Sequence, residues 1–307
     1  MTGQRGFVLV NALILVAALA AAAVVVMARA EAGRARLQAS QGADQLGAYL
    51  DAFEAQALHL IMRDDGAVDH PGDAWAQAQG VPLDLDRGRV AGNIVDVQGL
   101  FNLNWLANPE DAAARAAFDR LLRAIGARPS LAADVIALLE PGTPGNGAAY
   151  AALDPGLDPV TGPLLFMRQL EGVPTLSDRD RAVLEPVAAL APGDSWLNLN
   201  TAAPRVVAAF FPGLSTEQMA ALLSPRDTAP FQSGEAFLKA VETARGAALP
   251  EDFDRGRFSV GSVNFEVTAT ATLEGRHATR TVGITRTGLG QRPRIRWRET
   301  TRDAVRH

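Results

Sequence analysis

The stretch that decides the fold is MTGQRGFVLVNALILVAALAAAAVVVMAR, residues 1–29. Over residues 7–28 every side chain is apolar except Asn11. A helix rising ~1.5 Å per residue carries a run of that length across a ~30 Å hydrocarbon core. Ahead of it, residues 1–6 are polar, with Arg5 as the one charged side chain and Gly6 at the end. The expectation is a membrane-inserted helix from which the remaining chain hangs.

Three processing readings apply to this stretch. Ala28-Arg29-Ala30 has the small-x-small form of a secretory cleavage site, but the apolar run is longer than the ~7–15 residues of a signal h-region. An uncleaved anchor is the plainest alternative. The third is carried by Arg5-Gly6-Phe7-Val8-Leu9-Val10-Asn11, which resembles a type IV pilin-like prepilin signal. That resemblance implies cleavage after Gly6, Phe7 as the new and N-methylated terminus, and retention of the helix. Most signals of that kind carry glutamate at the fifth residue after the cut, where this chain has Asn11. A carboxylate in mid-membrane costs about 2.5–3.5 kcal/mol unless paired, and its expected partner is the terminal amine of an adjacent subunit. Asn11 cannot make that ion pair. It suits a subunit that need not dock on one already in place, the outermost position of a filament, and equally suits a weaker amide contact between helices.

Composition narrows the function. The 307 residues allow one large or two ordinary domains after the anchor. A net charge of −5 argues against nucleic-acid binding, and the absence of cysteine excludes disulfides, thiolate catalysis and Cys-based metal sites. Arg5 before the span and Arg29, Arg34 and Arg36 after it leave the positive-inside rule undecided.

The helix is expected to continue to Asp64-Asp65-Gly66, since no proline precedes Pro71. Leu46, Leu50, Phe53, Ala57, Leu58, Ile61 and Met62 would form its packed face, with Gln45, Asp51, Glu54 and Arg63 opposite. Residues 69–86 read as a linker, residues 89–97 as a strand, Gln98-Gly99 as a turn and residues 100–103 as a second strand. Helices are expected over 109–125, capped by Asn108, and over 131–139, 164–170 and 177–190. Residues 141–163, rich in proline and glycine, read as loop.

An echo follows. Leu197-Asn198-Leu199-Asn200-Thr201-Ala202 repeats the form of Phe101-Asn102-Leu103-Asn104-Trp105-Leu106, and we read the two as related positions in two halves of an inserted helical domain. Residues 201–240 resemble a helix-hairpin-helix unit with Pro212-Gly213-Leu214 as the hairpin. Ser215 stands where a DNA-binding unit has its second glycine. Arg205, Arg226 and Lys239 are balanced by Glu217, Asp227 and Glu235, which leaves no counterion-release drive toward DNA. Residues 257–273 then alternate with Phe265, Val267, Ala269 and Ala271 on one face. Glu274-Gly275 turns the chain, residues 276–287 return, and residues 294–298 form an edge whose arginines block further pairing.

No catalytic constellation is present. His59, His70, His277 and His307 lack metal-ligand spacing, and there is no HExxH, GxSxG or P-loop. A non-glutamate prepilin signal, a long helix, paired Asn-Leu-Asn segments around a helical insertion and returning strands together resemble the K-type minor pseudopilins of bacterial type II secretion (general secretion pathway protein K), over essentially the whole chain. The resemblance implies an α+β fold: a pilin-like N-terminal helix on a small antiparallel sheet, with a large all-helical (SAM/helix-hairpin-helix-like) domain inserted. The expected division is a leader 1–6, a membrane helix 7–28, its continuation 29–66, sheet 67–104, inserted domain 105–250 and closing strands 251–307.

It further implies a non-enzymatic role, capping a pseudopilus tip with I- and J-type minor pseudopilins and supporting export of folded proteins. Its other expected partners are prepilin peptidase, the inner membrane, and secreted substrate or the outer-membrane channel, with no nucleic acid. The N-terminus would be cytoplasmic and the bulk of the chain periplasmic. Calcium is bound by acidic loops in the family; here the candidates are Glu140, Asn146, Asp154 and Asp158, fewer carboxylates than a site of ~6–8 oxygens prefers. The alternatives are a membrane-anchored periplasmic DNA-binding protein and a soluble protein cut after Ala30.

Overall fold

With no proline to interrupt it, the N-terminal run folds as one helix, α1 (Gly3–Arg63), which passes unbroken from the apolar stretch into an amphipathic one. The structure, a computed structural model, describes residues 3–139, 162–173 and 176–302. The expected face of α1 is the packed one: Leu46, Leu50, Phe53, Ala57, Leu58 and Ile61 are all buried. They lie against Val90, Ile94, Phe265, Val267 and Ala271 of a sheet. That sheet is antiparallel throughout, with the order β1 (Leu83–Leu85), β2 (Gly88–Asp96), β7 (Asn264–Leu273), β8 (Arg276–Thr285), β9 (Arg294–Arg302). Gly92 lets the helix approach, since a Cβ there would stand 2.7 Å from the Phe53 ring. The β7–β8 turn is the two-residue Glu274-Gly275 expected, both at positive φ, as a type I′ hairpin requires. β9 closes the far edge with exposed arginines, four residues further than expected.

Glu54 departs from expectation. Its place in the helical pattern predicts the solvent face of α1, yet it is buried, because Arg298 of β9 reaches over it (Nε to Oε2 2.9 Å) and Arg280 of β8 lies beside it. The linker also has structure. It holds a short helix, α2 (Ala74–Gln77), which buries Trp75 against Phe265, and it supplies the edge strand β1.

The helical domain leaves the sheet after Asp96 and returns at Asn264. Its first strand, β3 (Phe101–Asn102), does not extend the sheet as expected. It pairs in parallel with β4 (Ala188–Ala189), inside a stretch read as helix. A second parallel pair joins β5 (Leu197–Asn198) to β6 (Phe258–Ser259). These pairings place the limits of the insertion outside 105–250, between β2 and β7. Between them run α3 (Ala112–Ala124), α4 (Leu131–Leu139), a 3-10 turn Met167–Gly172, α5 (Asp178–Leu184), α6 (Pro204–Ala208), α7 (Thr216–Leu223) and α8 (Gly234–Arg245). α3 starts later than expected because Asp111, not Asn108, caps it, accepting from the Ala114 N–H at 2.9 Å. α5 opens on a Ser177 cap.

The insertion has its own core, distinct from that of the sheet. At its centre Phe101 meets Trp105 and Phe118, each with ring centroids 5.2 Å away, and Phe210 at 5.9 Å.

Candidate assembly site

Two regions stand out: the apolar length of α1 and the seam between sheet and insertion. α1 is the one helix among the described residues long and apolar enough to cross a membrane, and its most apolar window is wholly unburied. Gly6 and Phe7 lie in its first turns, and the Asn11 side chain is exposed and makes no hydrogen bond among the described residues. Among the described residues the first hydrogen bond from α1 to the body is at Ala39, whose carbonyl accepts from Arg276 at 3.4 Å.

The seam is built from polar groups that the sequence reading passed over. Asp96, at the end of β2, is buried and accepts from Thr201 Oγ1 (2.6 Å), Ser262 Oγ (2.7 Å), Asn198 Nδ2 (3.0 Å) and the Gln98 N–H (2.8 Å). Asp69, fully buried just after α1, is held by both terminal nitrogens of Arg286 at 2.9 Å and by the Ser262 N–H at 2.6 Å. Arg286 also donates to Asp64 at 2.6 Å and to the Ser262 carbonyl at 3.0 Å. Gln98 takes the Val263 N–H at 2.7 Å and donates to the Trp196 carbonyl at 3.1 Å. Helix end, sheet end and both halves of the insertion therefore meet in one hydrogen-bonded knot.

Each Asn-Leu-Asn segment uses its two asparagines alike. Asn102 accepts from the Asn104 N–H (3.0 Å) and Asn198 from the Asn200 N–H (2.9 Å), a local turn that ends each strand. Their amides donate to Ser195 Oγ and Ser262 Oγ respectively, both at 3.0 Å. The second asparagine clasps a distant backbone unit by both groups. Asn104 holds Leu164 (2.7 and 2.9 Å) and Asn200 holds Phe231 (2.9 and 3.1 Å). The echo in sequence is an echo in structure.

Burial, partly offset by the Thr201 and Ser262 hydroxyls, pushes the Asp96 carboxyl up to about 6 from 3.8. A carboxyl that binds its proton more tightly when folded contributes most stability below about pH 4 and loses that contribution as pH rises through about 6. Asp96→Asn is therefore expected to flatten the pH dependence of the urea midpoint between pH 4 and 6.5; an unchanged slope would refute the assignment.

Among the described residues Asp64, Asp69 and Asp73 form a carboxylate cluster, but two of them, Asp64 and Asp69, are already ion-paired to Arg286. Glu140, Asn146, Asp154 and Asp158, the calcium candidates, lie outside the described residues. His59 is exposed on α1. In the helix-hairpin-helix stretch, Ser215 caps α7 through a capping box, and Arg226 spends its charge inward on the carbonyls of Leu199 and Ala202. That removes one of three basic groups from any surface facing DNA.

A membrane-length helix laid on an antiparallel sheet, with a helical domain spliced between two neighbouring strands, defines a pilin-type subunit carrying an insertion. The family model of type II secretion system protein K matches residues 197–260, and the model of that protein's first domain matches residues 99–193. Together they span more than half of the chain. The chain belongs to the type II secretion system protein K family and is a component of the secretion pseudopilus. Each matched segment contains one Asn-Leu-Asn turn and one complete parallel strand pair. Among solved structures, a chain of the GspK-GspI-GspJ complex from the type 2 secretion system of enterotoxigenic Escherichia coli is similar, with 20% identity and a TM-score of 0.70. The match covers 87% of this chain and 99% of that one. No curated protein matches the chain.

Proposed function

We propose that the chain is a non-enzymatic minor pseudopilin that occupies the tip of the type II secretion pseudopilus. There it helps start filament assembly at the inner membrane and so supports export of folded proteins. The observation that carries this reading is Asn11. It lies in the span of a helix otherwise built like a pilin anchor, exposed and without the carboxylate that would bind a preceding subunit's amine. The partners are I- and J-type minor pseudopilins, a choice supported by the complex in which the similar chain was solved. Prepilin peptidase cuts after Gly6, and Phe7 becomes the N-methylated terminus. The N-terminus starts in the cytoplasm and the body lies in the periplasm.

The test is the mature N-terminus by mass spectrometry, in cells with and without prepilin peptidase, followed by co-purification with I- and J-type subunits. N-methylated Phe7 that depends on the peptidase is expected, and Gly6→Leu should abolish processing. A chain beginning at Glu31, an intact Met1 in peptidase-bearing cells, or a processed chain that binds neither subunit would overturn the proposal.

A further inference from the structure

We infer that Arg29, Arg34 and Arg36 form a collar that binds anionic phospholipid headgroups on the side of the membrane where the body emerges. The choice of that leaflet rests on the orientation proposed above; the binding itself does not. All three are exposed on a length of α1 whose first hydrogen bond to the body is at Ala39, and among the described residues none of their side chains makes an ion pair or hydrogen bond. Over residues 29–43 the only acid is Glu31. At ~1.5 Å per residue the arginines stand roughly 1.5, 9 and 12 Å above Ala28, across and just beyond a headgroup layer of about 5–8 Å.

The direction of the side chains closes the remaining gap. Cα–Cβ bonds in a helix lean toward its N-terminus, which here is the membrane. Arginines placed after the span therefore lean back onto the headgroups, with their stems over apolar surface. Arg29 and Arg36, seven residues apart, fall within about 20° of one face, while Glu31 lies one turn before Arg34 and offsets that charge in part. A free guanidinium at that depth matches a phosphodiester, bidentate and charge-assisted.

The probe is the full chain reconstituted in nanodiscs of phosphatidylcholine and phosphatidylglycerol at 7:3, with retained lipid measured by native mass spectrometry. Each arginine near an anionic surface favours it roughly fivefold, so phosphatidylglycerol should be enriched at least fivefold over the bulk ratio. The enrichment should fall to the bulk ratio in R29Q/R34Q/R36Q and shrink in 1 M salt. Circular dichroism checks that this variant keeps its helix. Bulk composition around the wild type, or enrichment that survives in the triple variant, would overturn the inference. An unprocessed N-terminus with enrichment intact would sink the tip reading and leave this one standing.

Discussion

Replacing Arg286 with methionine is expected to cost about 3–5 kcal/mol, because it strips a buried carboxylate of its counter-charge. Asp69 is fully buried and takes two hydrogen bonds from that guanidinium. Without it the acid keeps the Ser262 N–H as a donor. The arginine also lies 4.8 Å from the centre of the Phe265 ring, which methionine still covers, so the loss reads out charge and hydrogen bonding rather than a void. For a body of this size the melting temperature should fall by about 10 °C. Adding Asp69→Asn to the variant should recover part of the loss, since the uncompensated charge is then gone. A single-variant loss below about 1 kcal/mol would show that the knot does not hold helix end to sheet end.

The paired asparagines give the second large effect. Asn102→Ala leaves the Asn104 and Ala191 N–H groups buried without their acceptor. Asn198→Ala orphans the Asn200 N–H and removes one donor from Asp96. At about 1–3 kcal/mol per buried unsatisfied group, each change should cost roughly 3–5 kcal/mol by chemical denaturation. The two should differ in reach. Amide exchange in Asn102→Ala should rise within the helical insertion alone. In Asn198→Ala it should also rise at the ends of β2 and β7, because Asn198 bonds Asp69 and Asp96 of the sheet body. Matching exchange patterns would mean that the insertion and the sheet open as one unit.

Much of the architecture was legible from periodicity. The α1 face from Leu46 to Ile61 and the alternation of Phe265, Val267, Ala269 and Ala271 are local patterns, and local patterns are what sequence displays. The Glu274-Gly275 hairpin was equally plain. Misread elements were those decided by distant partners. Phe101-Asn102 is apolar enough for a sheet strand, but its mate is Ala188-Ala189, a dipeptide whose alanines read as helix. Glu54 sits at a polar position of α1 and is buried only because arginines from β8 and β9 converge on it. The seam was invisible for the same reason, since Asp69, Asp96, Asn198 and Arg286 are far apart in sequence and none stands in a motif. The Asn-Leu-Asn echo could be seen without its function: each first asparagine ends a strand, and each second one fastens a remote loop.

The splice point has a consequence for the order in which the chain folds. Asp96 and Phe265 are register partners in adjacent strands, yet residues 97–264 lie between them. Closing so long a loop from an unfolded chain carries a large entropic cost before any ladder bond forms. Once the insertion has folded on its own core, its two ends emerge side by side, and β2 meets β7 as though across a short hairpin. Sheet closure is therefore favoured only after the insertion has formed. The sheet on which α1 is laid is expected to close last, once the C-terminal strands β7–β9 are available.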